Sequence, residues 1–221
     1  MDFRIADTFT DSLSRLTDAE QKAAKVTAFE LQMNPVSAGM SLHRLDQARD
    51  KNFWSARVSA DLRIIVHRTP GNLLLCYVDH HDKAYDWASR RKLETHPKTG
   101  AAQMVEIQET VREVVVPVYV QQELPAKPPP PPLADHSAEE LLGYGVPPEW
   151  IEEVRKADED GLLCLAEHLP AEAAEALLEL ATGGKPRLPV TLDATVGAFD
   201  HPDAQRRFRI MSNVEDLRRA L

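Results

Sequence analysis

The side chains best suited to chemistry follow an apolar run, in the segment CYVDHHDKAYDWA at residues 76–88. His80 and His81 are adjacent there, and Tyr85 follows shortly after them. Histidine can take or give a proton near neutral pH, and tyrosine can donate a hydrogen bond or stack on a nucleobase. We therefore predict that His80, His81 and Tyr85 are catalytic residues. The alternative is that this segment is only the solvent-exposed end of an ordinary strand.

Cationic side chains lie on two strands that precede this segment. Side chains alternate between the two faces of a strand, so Arg57 in FWSARVSA lies opposite the apolar face, as do Arg63 and His67 in LRIIVHR. If the apolar faces meet the helices, these side chains project from an open sheet face. Arginine binds phosphate through two parallel hydrogen bonds. We predict that Arg57, Arg63, His67 and Lys83 bind nucleic-acid phosphates.

Together these residue types could cleave RNA through attack of the 2′-hydroxyl on the adjacent phosphate. That reaction needs a base for the hydroxyl proton, cations for the crowded phosphate and an acid for the leaving oxygen. Structural roles are the alternative. Arg57 and Arg63 would then be cross-strand partners of Asp46 or Asp61, and His67 would be a satisfied core residue.

The sequence offers no metal-binding motif and no phosphate loop. No CxxC or HxxxH spacing surrounds the paired histidines, so we predict no metal site. Gly183-Gly184-Lys185 resembles part of a phosphate loop, but Glu179 stands where glycine is needed and Pro186 where serine or threonine should follow.

One strand and one or two helices should precede the cationic strands. FRIADTF (3–9) alternates apolar and polar residues like a half-buried strand, and a helical region follows from Thr10. Thr17 and Glu20 fit a capping box, and the helix they open should end at Asn34, which precedes a proline. The apolar face predicted for this helix consists of Ala19, Ala23, Val26, Phe29 and Met33.

Three strand signals come next, and the turn sequence TPGN (69–72) joins the last two as an antiparallel hairpin. LHRL (42–45) predicts a further short strand, and AYDWASRRK (84–92) predicts a closing helix. This order of elements predicts an α+β fold, with a small antiparallel sheet that carries its helices on one face.

Beyond residue 95 the chain changes character. VREVVVPVYV (111–120) predicts an edge strand, and KPPPPP (127–132) predicts a stiff linker. A second capping box, Ser137 with Glu140, opens a small all-α module of three short helices. A helical pattern is still running at Leu221, which suggests a fragment of a longer chain. The predicted domains are residues 1–95 for the α+β domain, 96–136 for the strand and proline-rich linker, 137–184 for the helical module, 185–200 for a second linker and 201–221 for the start of a helical segment.

Composition predicts a globular, cytoplasmic protein without a membrane partner. Hydrophobic residues make up 43% of the chain, yet no apolar run approaches the roughly 18 residues that span a bilayer. The N-terminus lacks the basic-then-apolar pattern of a signal peptide. Cys76 and Cys164 each lie in an apolar segment, which predicts two buried free thiols.

The net charge of −9 is distributed unevenly. Residues 1–98 contain 15 Lys and Arg against 13 Asp and Glu, whereas residues 99–221 contain 11 against 22. The acidic part is either a solvated spacer or a segment that folds back over a basic surface and masks it from nucleic acid.

The motifs WSARV, ADLRIIVHR and VDHHDKAY resemble those of the RelE/ParE toxin superfamily, within residues 1–95. The resemblance implies that family's small α+β fold. By position it implies phosphate contacts for Arg57 and Arg63, as in RelE-type ribosome-dependent mRNA endonucleases, which would make the ribosome a partner. It also implies the family's basic position for His80 or His81, although arginine usually follows the family's histidine where His81 stands. Tyr85 matches the terminal tyrosine, and ParE-type members instead poison gyrase without cutting RNA.

A second resemblance concerns the whole arrangement. A RelE-like domain followed by THPKTGAAQMVEI, LLGYGVPPEWI, LPAEAAEALLELATGG and HPDAQRRFRIMSNVEDL is similar to the N-terminal region of bacterial UvrD/Rep-like superfamily 1 helicases. The resemblance implies an ATPase core beyond Leu221 that would use ATP and Mg²⁺. It implies no cofactor within residues 1–221.

Three functions remain open from the sequence. The leading hypothesis is a nucleic-acid-binding accessory region of such a helicase, for RNA or DNA, in which the RelE-like domain is degenerate or masked by residues 99–221. The second is an active RelE-type mRNA endonuclease, and the third is a protein-docking module that uses the sheet face.

Overall fold

The computed structural model describes residues 1–34, 42–107, 130–191 and 197–221. They belong to two compact units: unit 1 comprises Met1–Leu93 and Pro202–Leu221, and unit 2 comprises Glu94–His201. The strand predicted at 111–120 and the first three residues of the KPPPPP segment lie outside the described residues.

Strands and helices follow one another along the described residues. In chain order they are β1 (Asp2–Ala6), α1 (Asp7–Ser14), α2 (Asp18–Met33), β2 (Leu42–Arg44), β3 (Phe53–Arg57), β4 (Leu62–Arg68), β5 (Asn72–His80), α3 (His81–Ser89), β6 (Arg91–Thr95), β7 (Ala102–Glu106), α4 (Ala138–Gly143), α5 (Ile151–Lys156), α6 (Glu159–Ala166), α7 (Ala171–Ala181), α8 (Pro202–Arg207), β8 (Phe208–Ile210) and α9 (Val214–Ala220). Short 3₁₀ turns occupy Pro148–Trp150 and Ala198–Asp200.

Unit 1 is built on a six-stranded sheet with the order β2-β3-β4-β5-β1-β8. β1 pairs with β5 in parallel, and the other neighbours pair antiparallel. The register between β4 and β5 shifts at Ile65 and Val66, which leaves Cys76 as an extra residue on β5. Such a bulge turns the residues on its two sides toward different faces than strict alternation would give.

The two faces of this sheet carry different helices. Phe9 and Leu13 of α1 and Leu31 of α2 pack into the buried core with Ile64 and other apolar residues of one face. On the opposite face Trp87 of α3 stacks on Tyr77 of β5. Because both faces are covered, LLLCYV can be apolar without interruption, and Leu73, Leu74 and Leu75 are all fully buried.

The last twenty residues of the chain complete unit 1. β8 forms an edge of the sheet beside β1, and Met211 N–H donates to Phe3 O at 2.8 Å. Met211 and Leu217 belong to the same core as Ile64. Arg207 on α8 forms a 3.0 Å ion pair with Asp7. Residues far apart in sequence therefore build one core.

Unit 2 is mostly helical. Its core surrounds Trp150 and contains Leu141, Leu162 and Leu177 from three of its helices. The indole N–H of Trp150 donates to Glu106 O at 3.1 Å, which fastens the helical part to β7. Within the described residues, no helix has both the length and the apolar character that a bilayer crossing requires.

The α+β fold class is confirmed, as is the predicted capping box at Thr17, but helices cover both faces of the sheet and not one face as predicted. α2 runs from Asp18 to Met33, and Asn34 is its C-cap, where the sequence predicts the helix to end. The predicted apolar face of α2 is wrong, because Val26 and Met33 are exposed. The buried residues are instead Ala24, Thr27, Ala28 and Leu31, a competing stripe at the same helical spacing.

Three smaller predictions also differ from the structure. Cys164 is exposed, since α6 turns it away from the core, whereas Cys76 is buried as predicted. Residues 201–221 do not form a continuous helical segment, because β8 interrupts it. The capping box at Ser137 is only half present: Ser137 accepts from Glu140 N–H, and the Glu140 carboxylate pairs with His136 instead.

Candidate functional site

Arg57 and Arg63 lie side by side at one end of the sheet. They are directly opposite each other on β3 and β4. Nε of Arg57 donates to Ser59 O at 3.1 Å, and Nη1 of Arg63 donates to the same oxygen at 3.0 Å. Nη2 of Arg63 reaches Ala60 O at 3.3 Å. Both guanidinium groups are thus held by carbonyls of the turn between β3 and β4.

Neither arginine is neutralised by a carboxylate among the described residues, so the predicted alternative of pairs with Asp46 or Asp61 is not realised there. Like charges directly opposite on neighbouring strands destabilise a sheet. Each guanidinium has five N–H donors, and the turn carbonyls occupy only some of them. The arrangement is suited to receive an anion, which would relieve the repulsion.

His80, the last residue of β5, is surrounded by acidic groups. Its Nδ1 lies 3.1 Å from Asp79 Oδ1, and its Nε2 lies 3.1 Å from Glu20 Oε1 and 3.8 Å from Asp61 Oδ2. A neutral imidazole can donate from only one nitrogen, so donation to carboxylates on both sides requires the charged ring. The hydrogen bond to Asp79 is the main cause that raises the pKa of His80, and the charges of Asp61 and Glu20 add to it.

The neighbouring carboxylates are themselves held in place. Glu20 Oε2 accepts from the N–H of Thr17 at 3.0 Å and from its hydroxyl at 2.6 Å, and these bonds lower the pKa of Glu20. Burial would raise the pKa of Asp79, but hydrogen bonds from the backbone N–H and ring of His80 outweigh it and lower the pKa. Both groups are therefore anionic partners at neutral pH.

His81 begins α3, and its side chain has different partners from that of His80. Its ring contacts that of Tyr85, with 4.2 Å between the centroids, and its Nδ1 lies 2.9 Å from Asp82 Oδ1. Both rings line a cleft of about 510 Å³ whose other walls are Asp86 and Ser89 of α3 and residues 44–48. This volume lies within the range of small-molecule sites.

His67 is buried, with 5% of its surface exposed. Its Nε2 lies 3.3 Å from Asp50 Oδ2, and its ring packs edge-on against Phe53. Burial would raise the pKa of Asp50, but hydrogen bonds from His67, Leu93 and Asn52 lower it. The sheet face is therefore closed at His67, and the predicted open face does not extend there.

The predicted site residues do not all share one site, and the structure places them in separate groups. Arg57 and Arg63 form one pair, and His81 and Tyr85 form another. Lys83 is exposed on α3 and helps to lower the pKa of Asp79. The adjacent histidines separate because β5 ends at one and α3 begins at the other.

Sequence reasoning missed the acidic partners of His80 and the part that residues 44–48, from the end of β2 onward, play in lining the cleft. Glu20 was visible as a capping-box residue, but nothing local connects α2 to the end of β5. No group of three or more His, Cys, Asp or Glu residues that could hold a metal ion occurs in the described parts of the chain.

Similarity between this chain and known proteins is weak. No family model matches the chain, and no curated protein matches it. Among solved structures, a chain of the RelB-RelE antitoxin-toxin complex from Methanococcus jannaschii is similar over 38% of this chain and 95% of that chain, with 19% identity and a TM-score of 0.32. This is a distant likeness of fold and carries no argument about function. None of these findings concerns a helicase.

Proposed function

We propose that unit 1 binds the phosphodiester backbone of a nucleic acid through Arg57 and Arg63. The observation that carries the proposal is their shared acceptor, Ser59 O, with no carboxylate partner among the described residues. Backbone carbonyls orient the two guanidinium groups without cancelling their charge. Arginine's planar fork then fits the oxygens of a phosphate.

The charge distribution supports unit 1 as the binding part. Unit 1 contains 19 Lys and Arg against 15 Asp and Glu, giving +4, whereas unit 2 contains 7 against 20, giving −13. A polyanion is attracted to the first and repelled by the second. Masking of the basic surface by the acidic part stays a proposal, and it now concerns residues 99–201, because 202–221 belong to the sheet unit.

Salt-dependent binding by the full chain tests the proposal. Affinity for labelled single-stranded RNA, single-stranded DNA and duplex DNA would be measured by fluorescence anisotropy at several salt concentrations. Arg57→Ala/Arg63→Ala should weaken binding by about ten- to a hundredfold. It should also reduce the slope of log K against log salt by about 1.4 for a single strand or about 1.8 for a duplex.

The matched control is Arg218→Ala/Arg219→Ala, which removes two exposed arginines of the same unit that pair with Glu215. Equal losses in both double variants would show a diffuse charge effect and refute the proposed site. Binding that does not depend on salt would favour the alternative of a protein-docking module.

RNA cleavage is the second candidate, favoured by the contact between His81 and Tyr85 in the cleft. A charged His80 has no lone pair with which to accept a proton, so the base would have to be His81. Ribosome-dependent cuts in mRNA that disappear in His81→Ala, with binding retained, would support cleavage. Intact mRNA with the unaltered full chain would exclude it.

The broader role as the accessory region of a superfamily 1 helicase rests on the sequence resemblance alone. Its test is the genomic reading frame beyond Leu221, where a GxxxxGK[ST] loop would be required. A reading frame that ends without that loop would remove the helicase from the proposal and leave the arginine site untouched.

A further inference from the structure

The ring of His80 lies among side chains from three elements of unit 1. Its ring contacts Glu20 at the start of α2, Asp61 in the turn between β3 and β4, and Asp79 on β5 itself. Among the residues that the structure describes, these three carboxylates are the charged groups that face the ring. Its side chain is 44% exposed, so solvent reaches it and protons can exchange.

The turn that His80 contacts is the one that orients the two arginines. Val58 N–H donates to Leu62 O at 3.0 Å, and Ser59 Oγ accepts from Leu62 N–H at 3.1 Å. The carbonyls of Ser59 and Ala60 hold the guanidinium groups, and Asp61 is the next residue.

A second bond fastens the turn at the same point. The N–H of His81 donates to Asp61 O at 2.7 Å, so the backbone of Asp61 is tied to the start of α3 while its side chain faces the ring of His80. The opposite anchor is also fixed in advance, because Thr17 holds Glu20 through two hydrogen bonds. A positive charge at His80 completes the connection between these fixed groups.

We propose that His80 is a positioning residue of the nucleic-acid site, which in its charged form ties the β3–β4 turn to α2 and β5 and so holds Arg57 and Arg63 in place. The inference rests on the proposed function and adds a regulation to it. When the ring loses its proton, it can donate to only one side. The connection between the turn, α2 and β5 through the ring is then incomplete, and the arginines become less ordered.

The direction of the pH dependence follows from the acidic surroundings. The three carboxylates favour the charged ring, so the pKa of His80 lies above its ordinary value. The contribution of the charged His80 ring to the order of the turn is therefore complete below about pH 6.5 and is lost as pH rises through the raised pKa. Affinity for nucleic acid should fall over that same interval.

The experiment compares the full chain with His80→Gln, His80→Arg and the control His43→Gln, which changes an exposed histidine of β2 in the same unit. Oligonucleotide affinity is measured from about pH 6 to about pH 8, an interval in which histidine is the side chain that ordinarily titrates. The unaltered chain should lose about three- to tenfold in affinity as pH rises. His80→Gln should show the weak affinity at every pH, His80→Arg should keep the strong affinity, and His43→Gln should keep the unaltered pH profile.

Two further readouts separate positioning from a mere loss of structure. The ring of His80 is titrated by NMR, and its midpoint should coincide with the midpoint of the affinity change. Amide exchange of Val58 and Leu62 should accelerate above that midpoint in the unaltered chain, and at all pH values in His80→Gln.

The outcomes distinguish this inference from the proposed function. If the unaltered chain binds no nucleic acid, both are overturned. If it binds through Arg57 and Arg63 but with an affinity independent of pH, or if His80→Gln retains the unaltered profile, only the role of His80 is overturned.

Discussion

The arginine site of unit 1 and the buried core of unit 2 use their polar side chains in opposite ways. In unit 1 the guanidinium groups of Arg57 and Arg63 lie at the surface, oriented by turn carbonyls and left without a carboxylate among the described residues. In unit 2 polar side chains are used inside: Gln103 is buried and donates to Gly145 O at 3.0 Å, and His96 is buried and bonds to Val146 O. Surface charge without a carboxylate partner favours the binding of an anion, whereas polar groups that are buried and hydrogen-bonded inside a core indicate a structural role.

The histidines show the same contrast. His80 lies among carboxylates that raise its pKa, so its charged form is favoured. His96 is 1% exposed, and burial lowers its pKa despite the bond to Val146 O. The same residue type is therefore favoured in its charged form among carboxylates in one unit and in its neutral form inside the core of the other. Environment, and not residue type, decides the role.

The largest effect should come from Leu217→Ala, which tests whether unit 1 depends on the C-terminal segment. Leu217 is fully buried in the same core as Ile64. Removing its side chain should lower the free energy of unfolding of unit 1 by about 2–5 kcal/mol, because a cavity remains. Amide exchange of β1 and β5, measured by NMR, should report the loss.

Leu163→Ala is the control, since Leu163 is 57% exposed on α6 and should change stability by less than about 0.5 kcal/mol. Unchanged amide protection of β1 and β5 in Leu217→Ala would show that the core of unit 1 does not depend on the Leu217 side chain.

This dependence is a feature that the sequence could not reveal. The strands β3, β4 and β5 could be predicted because alternation and the TPGN turn are local signals, and α2 because of its capping box and the proline after Asn34. β8 is three residues long and becomes a strand only by pairing with β1, about two hundred residues away in sequence. No local pattern encodes such a pairing.

The site was predictable in part for the same reason. Strand alternation places Arg57 and Arg63 on one face, and the structure has them directly opposite each other. The burial of His67 depends on aromatic packing with Phe53, which in turn packs against Trp87 of α3. The environment of His80 depends on α2, whose Glu20 is sixty residues earlier. Contacts between distant segments therefore decided which predicted residues share a site.

The next effect in size concerns the buried polar groups of unit 2. The ring of His96 donates through Nε2 to Val146 O at 3.0 Å and accepts through Nδ1 from Thr99 N–H at 3.2 Å. His96→Ala would leave these buried partners without the ring, and should destabilise unit 2 by about 1–3 kcal/mol. Urea unfolding followed by NMR signals of β7 and α7 measures this loss.

His136→Ala serves as the comparison, because His136 pairs with Glu140 at the surface and such pairs contribute less than about 1 kcal/mol. If both variants lose the same small amount of unfolding free energy, the hydrogen bonds of His96 do not stabilise unit 2, and the contrast between the two units is wrong.

The smallest effect is the most specific, because the two units should respond to pH with opposite signs. The folded pKa of His96 is lowered, so its contribution to unit 2 is complete above about pH 6.5 and is lost as pH falls below that value. The folded pKa of His80 is raised, so its contribution to unit 1 is complete below about pH 6.5 and is lost as pH rises through the raised value. The urea concentration at which half of each unit is unfolded can be followed separately through the amide NMR signals of that unit. Between about pH 5 and about pH 8, this midpoint should therefore shift in opposite directions in the two units. His96→Ala should reduce the change of the urea midpoint with pH in unit 2 alone, and His80→Gln should reduce it in unit 1 alone. If the midpoints of both units instead change with pH in the same direction, the carboxylates around His80 do not hold its charge.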